Sequence, residues 1–199
     1  MGRGARRPGL AAIAWLAVWA SACQREPQLM QDGPALAEAQ RALNALPEFA
    51  GRAPRIHGAA LFHDRDIEVA LVDPTQPKAM YIYRYEQGRW QRGERMDHLC
   101  PDLKARGLSA SDLPLAQLRF ETAAVVHANW YQSARGVPGA LPNPERDRLV
   151  GIWFHTGRPG ARNPWPPSWS TMPVPGKDDA SYEIEFKLDG SVSRFERLR

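Results

Sequence analysis

The stretch RIHGAALFHDRDIEVALVDPTQPKAMYIYRYEQGRWQRGERM, residues 55–96, decides the fold, because its apolar side chains recur with a period of two. Ile67, Val69 and Leu71 alternate with Glu68, Ala70 and Val72, and Tyr81, Tyr83 and Tyr85 alternate with Ile82, Arg84 and Glu86. Such alternation marks strands with one buried face. Gln87-Gly88 sits between two of these runs and supplies glycine where a tight hairpin needs a positive φ. The reading is four antiparallel strands near 55–62, 66–73, 79–86 and 89–96. The three tyrosines pack beneath a helix, and the other face carries Arg, Glu and Gln into water.

That helix lies just upstream. Asp32 offers an N-cap and Pro34 is tolerated in the first turn. Leu36, Ala39, Leu43 and Leu46 fall on one helical face, and Pro47 ends the run. A helix followed by a meander buries one sheet face under the helix. The pattern then recurs downstream. Ser111 or Asp112 caps a second helix through about Ser133, with Leu115, Leu118, Thr122, Val126 and Trp130 on one side. Strand-like runs follow at 149–155, 181–188 and 191–198. Tyr81, Tyr83, Tyr85, Gly88, Trp90, Glu94, Arg95 and Met96 parallel Tyr182, Ile184, Phe186, Gly190, Val192, Glu196, Arg197 and Leu198, with one extra residue before Gly190. The expected fold is therefore α+β, in two small units (residues 34–100 and 101–199), each a helix packed on an antiparallel sheet. The repeat and the closing YEIEFKLDGSVSRFERL are similar to PepSY-like or beta-lactamase-inhibitor-like envelope modules. That resemblance implies binding or inhibition more often than catalysis, and it transfers no functional residue.

Residues 157–179 read as a long loop within the second unit. Pro159, Pro164, Pro166, Pro167, Pro173 and Pro175 crowd it, with Trp165 and Trp169 among them. Long loops in compact domains are often functional, and prolines hold side chains in place at low entropic cost. Trp165 and Trp169 are accordingly the candidate interaction residues, weighed against a simpler role in covering a sheet edge or core rim.

The beginning of the chain states a destination. Arg3, Arg6 and Arg7 precede an apolar run of eleven residues, Leu10 to Ala20. Ala20-Ser21-Ala22 then supplies small side chains for cleavage, as in an export signal. Eleven residues fall well short of the ~18 of a membrane span. Pro8-Gly9 after Arg6-Arg7 does not suit a twin-arginine signal, so the general secretory route is expected. Ala20-Ser21-Ala22-Cys23 resembles the lipobox of bacterial lipoproteins, with Ala20 where that family usually has Leu. The resemblance implies a lipid on the Cys23 thiol, cleavage before it, and residues 1–22 as the signal peptide. Gln24 after the cysteine, in place of Asp, implies the outer membrane. Residues 23–33 then form a polar tether. Acyl chains anchor at ~0.8 kcal/mol per buried methylene, so the protein would be held to a membrane without spanning it. Cys100 is the other cysteine; were Cys23 not lipidated, a Cys23–Cys100 disulfide in the oxidising periplasm would be the alternative.

Catalytic motifs are sparse. Asp97-His98-Leu99-Cys100 brings reactive types together, but adjacency does not make a nucleophile–base pair. His57 and His63 are too far apart along one strand to chelate one ion, and Asp64-Arg65-Asp66 reads as a polar hairpin turn. His127 and His155 read as structural histidines. Glu183 and Glu185 share a strand face without an identified partner. No Gly-x-Ser-x-Gly, His-Glu-x-x-His or phosphate loop is present. No catalytic residue, metal or cofactor beyond the covalent lipid is expected. The formal charge of +4 falls to 23 basic against 22 acidic residues once 1–22 are removed, which leaves no electrostatic footprint for nucleic acid. The leading expectation is a periplasm-facing outer-membrane lipoprotein that binds an envelope protein or a ligand, an inhibitory or immunity role included. The alternatives are an envelope hydrolase or thiol enzyme using Cys100 or His98, and a structural spacer.

Overall fold

The computed structural model describes residues 28–96, 112–140, 149–157, 165–177 and 179–198. These residues form two helices and a ten-stranded, antiparallel-paired sheet, an α+β architecture. Helix α1 spans Gly33–Asn44 and begins as the sequence predicts, with the Asp32 carboxylate accepting from the Ala35 amide at 2.9 Å and Pro34 in the first turn. Leu36, Ala39 and Leu43 are fully buried, whereas Leu46 lies beyond the helix. Leu46 is extended because the Pro47 ring disfavours helical backbone before it.

The four predicted strands are present as β1 (Arg55–His63), β2 (Asp66–Asp73), β3 (Gln76–Glu86) and β4 (Arg89–Arg95). Gln87 and Gly88, at φ 50° and 78°, form the two-residue turn between β3 and β4. Tyr83 is buried and donates to Glu48 at 3.3 Å, and Tyr81 and Tyr85 pack against the core margin.

The second helix begins later than its spacing suggests. Helix α2 is Thr122–Ala134. Leu113–Pro114 forms a short strand, β5, against Ile56 and Arg55 of β1. The break lies after Pro114: Leu115–Gln117 makes a single 3-10 turn and Leu118 is extended at φ −95° and ψ 124°, so the chain re-enters helix only at Thr122. Asp112 does not cap a helix but holds the His57 ring, Oδ1 to Nδ1 at 2.5 Å. Leu115, Leu118, Thr122, Val126 and Trp130 are nonetheless all buried. The remaining strands are β6 (Gly151–His155), β7 (Ser168–Thr171), β8 (Val174–Pro175), β9 (Ser181–Phe186) and β10 (Val192–Leu198). β7 and β8 lie inside the segment read as a structureless loop. That reading is corrected: Trp169 and Thr171 point inward from a strand too short to announce itself between prolines.

The sheet order is β10-β9-β7-β6-β1-β2-β3-β4, with β5 beside β1 and β8 beside β9. β1 and β6 pair over five positions, so the strands of both halves form one continuous sheet. Both helices lie on the same face. Trp90 donates its indole N–H to Ala39 O at 2.7 Å, Phe120 meets Phe62 edge-on at 5.2 Å, and Phe62 touches Trp169 at 5.5 Å. One core cluster thus runs from Leu43 of α1 to Trp130 of α2 and across the sheet to Phe186. Each fully buried leucine or phenylalanine contributes roughly 2 kcal/mol. Gln40 ties α1 to the segment that leads into α2, accepting from the Phe120 amide at 3.0 Å and donating to Leu118 O.

Candidate functional site

Because paired residues of an antiparallel sheet share a face, the register defines the face that, among the described residues, the helices leave uncovered. One row crosses it with a residue from each of eight strands. From β4 to β10 it reads Gln91, Arg84, Glu68, Leu61, Trp153, Ser170, Glu185 and Arg194. All eight are at least partly exposed. Ion pairs close both wings: Arg84 binds Glu68, and Arg194 binds Glu183 at 2.6 Å and Glu185 at 2.8 Å. The middle differs. Leu61 and Trp153 lie side by side there, with His63, His155 and Ser170 around them. An aromatic centre within a polar rim is the arrangement in which interface residues carry most binding energy.

Near the centre, His155 Nε2 and Ser170 Oγ are 2.8 Å apart. Burial holds the His155 imidazole below its usual range, against the opposing pull of Glu185. A neutral imidazole can accept the Ser170 hydroxyl proton, which is the first requirement of a nucleophile–base pair. His63 Nδ1 lies 3.1 Å from Val150 O. Beside it, at the β1–β2 turn, a cavity of about 570 Å³ is lined by Asp64, Arg65, Asp66, Glu68 and Arg84. Asp64 and Arg65 form that turn, as the sequence indicates.

The sequence-selected residues are distributed unevenly over this geometry. Trp169 is fully buried, with ring contacts to Phe62 and Phe154 and its N–H donated to Leu188 O at 3.1 Å. It is a core residue, and the interaction role expected for it is corrected. Trp165 is 44% exposed. Its segment returns closely against Gly157, where an added Cβ would stand 2.6 Å from Trp165 O. Cys23, His98 and Cys100 lie outside the described residues. His57 and His63 are held apart by separate partners, Asp112 and Val150. Among the described residues, no three His, Cys, Asp or Glu side chains converge as a metal site. Glu183 and Glu185 share Arg194, whose other nitrogen reaches Glu196 at 3.3 Å.

Sequence reasoning passed over Trp153 and Ser170. Trp153 appears only inside a strand-like run, and its centrality depends on the pairing of β1 with β6, almost a hundred residues apart in the chain. Among the described residues no helix is long and apolar enough to cross a membrane. No protein-family model matches the chain, and no curated protein or solved structure does.

Proposed function

We propose that this chain is a periplasm-facing outer-membrane lipoprotein that acts as a binding module through the uncovered face of its sheet. The carrying observation is the row centred on Leu61 and Trp153, with ion-paired wings on either side. The export and lipidation reading rests on Arg3, Arg6, Arg7, the Leu10–Ala20 run and Ala20-Ser21-Ala22-Cys23. Two α+β units, 34–100 and 101–199, are the natural parentage of this surface. In support, the order β4-β3-β2-β1 is followed outward from the centre by β6-β7-β9-β10, each meander preceded in sequence by its own helix. The extra residue before Gly190 also has a place. The β3–β4 turn has two loop residues, whereas Leu188, Asp189 and Gly190 lie between Lys187 and Ser191, which bond at 2.8 Å. The partner is an envelope protein or ligand, an inhibitory or immunity target included.

Two measurements test this reading. Radiolabelled palmitate should mark the wild-type chain and not Cys23→Ala, and processing of Cys23→Ala like the wild type would remove the lipoprotein claim. Crosslinked capture from envelope extract should then fail with Trp153→Ala and persist with Trp165→Ala. Loss with Trp165→Ala alone would move the site to the proline-rich segment.

A second reading, an envelope hydrolase, has one observation in its favour: the 2.8 Å contact between Ser170 and His155. It uses these residues in place of Cys100 or His98. A fluorophosphonate probe tests it, since an active serine would give an adduct at Ser170 that His155→Ala abolishes. The spacer reading requires instead that lipid and tether matter while Trp153 tolerates substitution.

A further inference from the structure

We propose that β10 is a self-association edge, on which a second copy of this chain lays its own β10 antiparallel and centred on Phe195. Among the described residues, β10 pairs only with β9. One row of its backbone N–H and C=O groups therefore faces outward as a template for another strand. Natural edge strands are blunted by brevity, charges, proline or bulges; β10 has charges and a bulge between Val192 and Arg194 but neither brevity nor proline. β10 runs seven residues and leaves Val192, Phe195 and Leu198 37–43% exposed. The turn before it adds Leu188 at 44%.

The order of charges along β10 selects its occupant. Arg194 and Glu196 lie on the uncovered face with their partners Glu185 and Glu183, and Phe195 lies on the helix side with Ile184. Antiparallel pairing about Phe195 sets Arg194 opposite Glu196 of the second copy, and the two-fold axis repeats that pair. Phe195 then faces its own counterpart, so this one aromatic pair and the opposite charges beside it fall in register together. The far edge suits β10 less well. β4 carries Arg89, Arg92 and Arg95 with Glu94, an arginine excess that meets Arg194, Glu196 and Arg197 of β10 with net like charge. Pairing β10 with β4 would also propagate without closing, whereas β10 with β10 closes as a dimer.

The test uses full-length chain expressed in its envelope setting. Phe195→Cys, in a Cys100→Ala background, is treated with a short bismaleimide. Arg89→Cys on β4 and the parent without an added cysteine serve as controls. A band at twice the chain mass, several-fold stronger for Phe195→Cys than for either control, is expected. Adding Glu196→Arg should weaken that band about fivefold, because arginine then opposes arginine twice. Co-expressing the Glu196→Arg chain with an Arg194→Glu chain, both carrying Phe195→Cys, should restore it. Equal bands at positions 195 and 89 would overturn the proposal. So would a crosslink from position 195 to another protein in place of a second copy, or failure of the mixed chains to recover.

Discussion

Replacing Trp169 with alanine is the sharpest probe of how the second half of the sheet is held. The indole is fully buried between Phe62 and Phe154, at ring distances of 5.5 and 5.0 Å. Burying an aromatic of this size removes on the order of 200 Å² from water, or roughly 5 kcal/mol at about 25 cal/mol per Å². Truncations of buried aromatics cost about 3–5 kcal/mol once partial collapse is included. The lost hydrogen bond to Leu188 O adds little, because Leu188 is 44% exposed and water can replace the donor. The expected cost of Trp169→Ala is therefore about 4 kcal/mol. Trp165→Ala, at a 44% exposed position, should cost within about 1 kcal/mol. Urea unfolding followed by circular dichroism measures both, with an unchanged m-value confirming that the folded state is comparable. Equal losses, or a loss below about 1 kcal/mol for Trp169→Ala, would refute the placement of β7 in the core.

Two further outcomes follow from named contacts. The His127 imidazole is buried in α2 and pushed down to about 4 by that burial. The unfolded chain holds its proton more tightly, near 6.5, so stability is complete above about pH 6.5 and is lost as pH falls toward 4, by about 3 kcal/mol in all. His127→Gln should flatten that part of a urea-midpoint profile between pH 7 and 4, and an unaltered slope would contradict the assignment. Asp32→Ala removes the carboxylate that accepts from the Ala35 amide. It should cost about 1 kcal/mol, with Asp32→Asn recovering most of the loss in the same unfolding assay.

What was legible in the sequence divides by the range of the interactions involved. α1 and the hairpins of the first half are written locally, in the Asp32 cap, the alternation of Ile67, Val69 and Leu71, and the Gln87-Gly88 turn. The start of α2 is not legible because the burial of Leu115 and Leu118 imitates helical spacing, whereas Leu118 is in fact extended after a single 3-10 turn. β7 was hidden because four residues, two of them serine, carry only Trp169 and Thr171 as an inward pair. The same brevity left Trp169 open to two readings, an interaction residue or the cover of a sheet edge or core rim, and its full burial decides for the core. The face now proposed to bind was unreadable for a different cause. Its members come from eight strands, and their alignment depends on pairings such as Leu61 with Trp153 and Ser170 with Glu185 that no local pattern encodes.

The measurement that bears most directly on the binding face is site-specific photocrosslinking in the full-length chain. A photoreactive residue with an aromatic side chain, which keeps a ring at the centre of the uncovered face, replaces Trp153 or, in a separate variant, Ala42 on the exposed side of α1. A discrete adduct from position 153, absent at position 42, is the expected result. An adduct from position 42 with none from position 153 would contradict it and place the interaction on the helical side.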